Sequence, residues 1–201
     1  MLYDKILLPL LAAYTILPLT LAQSGNFTIY AYGTGVLGLP LFYSEVYKSN
    51  LTAEMAGDAQ LGNVNAIPGY NVSDVYFSIE SGRLLAFPNA TSTEAAKHDA
   101  NYTWTSLQLN VPVNTSGNTV TFTEDTGSSG GADGEWTLYG PYVFLYDSSK
   151  QLVSHFFAEP TNDAGVFNLL WNLSEEQQAQ NPDAVPVSLR TIAPVDASST
   201  N

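Results

Sequence analysis

The patterning of the chain predicts an all-β protein: an antiparallel β-sandwich or barrel of about ten to twelve short strands with one or two short helices. Three observations carry that expectation. Aromatic and β-branched runs are short and are broken by Gly, Pro, Asn or Ser every 8 to 15 residues or so. Apolar residues make up 45% of the sequence and aromatics 12%, against 12% charged, a balance that supplies a core rather than a solvated coil. Helix signals are confined to two brief stretches.

In chain order, strands are predicted at Phe27–Tyr32 and Leu39–Tyr43, both rich in aromatic and branched side chains. Val75–Glu80 and Arg83–Phe87 flank Ser81-Gly82, which reads as a two-residue hairpin turn. Thr103–Asn110 and Thr119–Thr123 follow, and then Trp136–Tyr139 and Tyr142–Tyr146 on either side of Gly140-Pro141. The polar segment Asp147–Gln151 leads into Leu152–Phe157, where alternation sets Val153, His155 and Phe157 on one face and Leu152, Ser154 and Phe156 on the other. Val166–Leu170 and Val187–Ile192 complete the set. Between these last two, Ser174-Glu-Glu-Gln177 has the form of a capping box and Pro182 stops the run, so a short helix is predicted at Glu175–Ala179. Thr93–His98 is a second candidate for a single helical turn.

Residues 1–22 read as a cleaved signal peptide. A short n-region carries Lys5, Ile6–Leu21 is nearly all apolar, and Thr20-Leu-Ala22 places small residues before Gln23. The apolar stretch is shorter than the roughly 20 residues of a spanning helix and is interrupted by Pro9 and Pro18. No membrane association is expected once it is removed. Residues 23–197 then form one all-β domain, long enough for a sizeable core, and 198–201 a flexible tail. Seven N-x-[ST] sequons support export: Asn26, Asn50, Asn71, Asn89, Asn101, Asn114 and Asn172. The frequencies of Asn, Ser and Thr would produce roughly three by chance. Each glycosylated Asn must face solvent, which places Asn50, Asn71, Asn89, Asn101 and Asn114 in loops or at strand edges.

Composition also excludes. With 19 acids against 6 bases and a net charge of −13, the chain is no partner for nucleic acid. Without cysteine there is no disulfide framework, thiolate metal site or thiol nucleophile. No motif asks for a cofactor. The acidic, glycine-rich segment Glu124–Glu135 does not follow the ligand spacing of an EF-hand and reads as a solvated hairpin tip rather than a metal site. No G-x-S-x-G elbow accompanies His98 or His155, so a Ser-His-Asp triad is unsupported, and a rim or core role suits His155 better. Glu80, Glu124 and Glu135 are the strand carboxylates from which a glycosidase pair would have to be drawn. Aromatic residues are the more informative feature. Trp104, Trp136 and Trp171 suit a β core, yet exposed Trp and Tyr also stack on sugar rings. Trp136, Tyr139 and Tyr142 are the candidate ligand-binding residues, the two tyrosines because they flank a turn.

The segments Phe27-Thr-Ile-Tyr-Ala-Tyr-Gly33, Gly38-Leu-Pro-Leu-Phe-Tyr43, Val75-Tyr-Phe-Ser-Ile-Glu-Ser-Gly-Arg-Leu84 and Trp136–Phe157 resemble small secreted fungal glycoproteins of the phialide cell-wall type. That resemblance implies a cell-wall or extracellular structural glycoprotein rather than an enzyme, and it brings no catalytic residues; cell-wall polysaccharide is the expected partner. The expected function is that of a secreted, N-glycosylated, non-catalytic protein of the fungal cell wall or extracellular space. The alternatives are a lectin-like glycan-binding module and a carboxylate-based glycoside hydrolase.

Overall fold

Three hairpins close in two residues each, and each turn has the backbone that its residues demand. Ser81 and Gly82 both take positive φ, 51° and 78°, as a type I′ turn requires. Gly140 has φ 58°, and the following Pro141 is held to negative φ by its ring, which makes a type II′ turn. The third turn is Thr34-Gly35, with Gly35 at φ 75°.

The computed structural model describes residues 25–44, 57–66, 72–89, 104–112, 118–124, 135–147 and 149–195. Thirteen strands run through them: β1 (Tyr30–Gly33), β2 (Val36–Ser44), β3 (Gly57–Leu61), β4 (Val72–Glu80), β5 (Arg83–Pro88), β6 (Leu107–Asn110), β7 (Thr121–Glu124), β8 (Glu135–Tyr139), β9 (Tyr142–Tyr146), β10 (Leu152–Val153), β11 (Phe156–Pro160), β12 (Phe167–Trp171) and β13 (Val185–Arg190). One α-helix, α1 (Glu175–Gln180), and one 3-10 turn (Val64–Ala66) accompany them. The predicted signal segment 1–22, the tail 198–201, the Thr93–His98 turn and the loop 127–134 lie outside the described residues.

Strand pairing is antiparallel throughout. It follows the order β1-β2-β4-β5-β6-β7-β3-β12-β11-β13 and returns to β1, so ten strands close into a barrel. Closure leaves no open edge along that circuit. Pairing of β2 with β3 ties the circuit across, and bridges Phe27↔Phe77 and Thr119↔Leu170 add further links. Strand β9 hangs on β13 at Arg190↔Tyr142 and carries β8 and β10 on its two edges.

Inside the barrel, aromatic rings form two chains of contacts. Phe27, Phe77 and Phe122 follow one another at 6.4 Å, with Tyr43 at 5.6 Å from Phe122 and Trp104 at 5.1 Å from Tyr43. Trp136, Phe156 and Trp171 make the other chain, at 6.1 and 4.8 Å. Each buried side chain of this size contributes about 1.5–3 kcal/mol through removal from water, and a well-placed ring pair about 0.5–1.5 more. A smaller cluster of Phe42, Val64, Val72 and Val166 packs separately.

The all-β barrel is therefore the observed fold, with two differences in its elements. Strand β3 was not expected, because Gly-Asp-Ala-Gln-Leu contains no β-branched or aromatic residue. It is a strand because β2, β7 and β12 satisfy its backbone groups. The predicted strand Leu152–Phe157 is divided into β10 and β11, since its first half pairs with β9 and its second with β12 and β13. Helix α1 begins where predicted. Ser174 Oγ accepts from the Gln177 N–H at 3.2 Å, and Gln177 Oε1 accepts from the Ser174 N–H at 2.9 Å.

Candidate functional site

The division of residues 152–157 opens the site. Val185–Val187 of β13 bond to β11, whereas Arg190 bonds to β9, so the two partners of β13 part between these positions. Ser154 and His155 cross the gap. On the outer face at this parting lies a groove of about 680 Å³, within the range of small-ligand sites.

Its floor follows from strand alternation. On β9, Val143 and Leu145 point into the core and Tyr142 and Phe144 point out. Tyr32 of β1, Phe157 of β11, and Pro186 and Ser188 of β13 are the corresponding outward positions, and all of them line the groove. Ser154 and His155 form one side; Asn172, Leu173 and Gln178 of α1 form another.

That second wall is tied down by backbone and amide bonds. The Asn172 N–H donates to the His155 carbonyl at 2.8 Å, joining both sides of the groove. Asn172 itself has φ 51°, a left-handed conformation that Asn tolerates better than most residues. Asn118 acts as a clasp: its Nδ2 donates to the Trp171 carbonyl at 2.8 Å, and its Oδ1 accepts from Gln177 Nε2 at 2.6 Å. A six-residue helix with no buried residue would not persist alone, so the clasp and the capping box are what hold it beside the groove. His155 lies on the rim, exposed, with its ring 5.8 Å from that of Trp171.

The three expected ligand-binding residues are separated by the fold. Tyr142 lines the groove. Tyr139 is 70% exposed at the β8–β9 turn and is outside the lining. Trp136 belongs to the core: it is 3% exposed and stacked on Phe156, so it offers no surface to a ligand. It points inward because it stands opposite Leu145, itself an inward position. Among the sequon residues, Asn26 is exposed, Asn89 is half-buried with its N–H on the Asp74 carbonyl, and Asn172 is exposed at the groove. Asn50, Asn71, Asn101 and Asn114 lie outside the described residues, as does His98.

Among the described residues, no carboxylate lines the groove. Glu80 ends β4 and accepts from Ser78 Oγ at 3.1 Å; Glu124 ends β7, exposed. Glu135 faces Lys150 at 3.6 Å, both side chains mostly in water, where such a pair is worth about 0–1 kcal/mol. Among the described residues no group of three or more His, Asp or Glu could hold a metal ion, and no helix is long and apolar enough to cross a membrane.

Sequence reasoning missed Tyr32, Phe144, Phe157 and Ser188. The signal for Phe144 was present, since Tyr142-Val-Phe-Leu-Tyr146 alternates between aromatic and aliphatic residues. For Tyr32, Phe157 and Ser188, nothing local distinguishes an outward position on one strand from that on any other.

These features define a class: a closed antiparallel β-barrel with an aromatic groove on its outer face. Comparison with protein-family models, with curated proteins and with solved structures finds no match.

Proposed function

We propose that this is a secreted N-glycoprotein of the fungal cell wall or extracellular space that binds a polysaccharide, without cleaving it, through the groove. The observation that carries the reading is the lining: Tyr32, Tyr142, Phe144 and Phe157 beside the hydroxyls of Ser154 and Ser188 and the amide of Gln178. Aromatic faces suit the C–H faces of pyranose rings, and short hydroxyl and amide groups suit their OH groups. Among the described residues, this lining holds no carboxylate pair of the kind used in glycoside hydrolysis. The predicted signal peptide, the seven sequons and the resemblance to phialide-type wall glycoproteins support the same reading.

The test is a pull-down of the secreted glycoprotein on insoluble glucan, chitin, cellulose and xylan. Saturable retention on at least one matrix is expected, with a Kd of about 10 µM to 1 mM for a short oligosaccharide. Phe144→Ala and Phe157→Ala should lower retention at least tenfold or so, the loss of one good contact. Absence of saturable retention on every matrix would overturn the proposal.

A further inference from the structure

Arg190 is not itself a lining residue, but its guanidinium sits against two rings that line the groove. Its guanidinium carbon is 4.8 Å from the centroid of Tyr32 and 4.8 Å from that of Tyr142. Its Nε donates to Ser188 Oγ at 3.3 Å. All three partners line the groove. The register explains the arrangement. Tyr142 stands opposite Arg190, and Tyr32 stands opposite Ser188. Residues 188 and 190 share the outer face of β13, so the long side chain leans back over Ser188 between the two rings. Tyr32 is itself fixed, because its hydroxyl donates to the Ile192 carbonyl at 2.8 Å.

No carboxylate among the described residues pairs with this guanidinium, and none lines the groove, in a chain with 19 acids and only 6 bases. The rings attract the cation without neutralising it. Among the described residues the guanidinium's hydrogen bond is the one from Nε, and a guanidinium fork matches a carboxylate with two parallel bonds.

We infer that the groove selects a glycan carrying a single carboxylate, a uronic-acid unit on an otherwise neutral chain, with that carboxylate on Arg190 and adjoining sugar rings against Phe144 and Phe157. This rests on the groove being a glycan site, as proposed above. One carboxylate is specified because the protein's charge of −13 repels a chain charged at every sugar. A single carboxylate on Arg190 gains a charge-assisted pair while exposing little further charge to that field.

The experiment is calorimetric titration of the secreted glycoprotein with three probes: aldotetraouronic acid, its methyl ester, and xylotetraose. The acid should bind at least about tenfold more tightly than the ester or the neutral sugar, the usual scale for a hydrogen bond to a charged group. Arg190→Gln should erase the preference, so that the acid and its ester bind with equal affinity. Arg190→Lys, which keeps the charge and loses the fork, should fall between, and near-ultraviolet circular dichroism checks that each variant is folded. Equal binding of all three probes overturns the role of the carboxylate and leaves the groove as a glycan site. A preference for the acid that survives Arg190→Gln overturns the assignment to Arg190. Failure of all three probes to bind overturns the inference, while the pull-downs on neutral polysaccharides decide separately whether the groove binds glycans.

Discussion

Phe156 and Phe157 are neighbours in sequence and lie on opposite faces of the same barrel wall. Both border the groove, but Phe156 is 1% exposed and packs between Trp136 and Trp171, whereas Phe157 is half-buried on the outward side of β11. The same division separates Val143 and Leu145 from Tyr142 and Phe144 on β9. Ring chemistry is alike on both faces; position in the two-residue period of the strand decides whether a ring supplies stability or surface. A slip of one residue in the β11–β12 register would exchange the two faces, so both the core and the groove depend on the same pairing.

The contrast is tested most sharply by truncating each ring. Phe156→Ala should cost about 3–5 kcal/mol in urea unfolding, since it empties a site enclosed by two tryptophans. Phe157→Ala should cost about 1 kcal/mol or less. Equal losses would mean that the outer ring is as much a part of the core as the inner one.

The wall of the groove is tested at its cap. Ser174→Ala removes the bond to the Gln177 N–H and should destabilise α1 by about 1 kcal/mol, and it also removes the Asn172 sequon. Asn172→Asp, which also accepts left-handed backbone, removes the sequon and leaves the cap, while Ser174→Thr keeps both. Hydrogen exchange of the α1 amides should rise in Ser174→Ala alone, and a mass decrease from loss of a glycan should appear in Ser174→Ala and Asn172→Asp. A further contrast lies at the β4–β5 turn, away from the groove. Ser81→Asn, at φ 51°, should raise stability by about 0.5 kcal/mol, because Asn adopts left-handed backbone more readily and Asn-Gly is the favoured type I′ pair. Groove binding should be unchanged.

The smallest effect is expected at the turn after β9. The Asp147 carboxylate accepts from Ser149 Oγ at 2.7 Å, the Gln151 N–H at 2.8 Å and the Ser149 N–H at 2.9 Å. The Ser149 hydroxyl foremost, then the backbone N–H groups, hold its pKa below the usual carboxylate value. A depressed folded pKa gives stability that is present above the unfolded value, about pH 3.9, and is lost as the pH falls through the folded value. Carbon-detected NMR titration of Asp147 should show a midpoint below that of an exposed Asp; a midpoint at or above it would show that the turn is not closed in solution.

Much of the barrel was legible in the chain. The Ser81-Gly82 and Gly140-Pro141 turns, the alternation of β9 and the Ser174–Gln177 capping box are local devices, each specified by residues within one turn of one another. Strand β3 was not legible, because its Gly-Asp-Ala-Gln-Leu segment takes strand form only between neighbours from β2, β7 and β12. The candidate site was legible in one residue, Tyr142. Trp136 was named with it, but a tryptophan beside a hairpin turn can face either way until its strand is paired.

The all-β class, the tight turns, the capped helix and the excess of acid over base follow from composition and from contacts between near neighbours, and so are written in the chain. Tertiary structure alone decided that residues 152–157 divide at Ser154-His155, that Tyr32 meets Tyr142 across Arg190, and which aromatic rings face outward. These depend on which strands pair and in what register, a choice made by burial over the whole barrel and carried by no single segment.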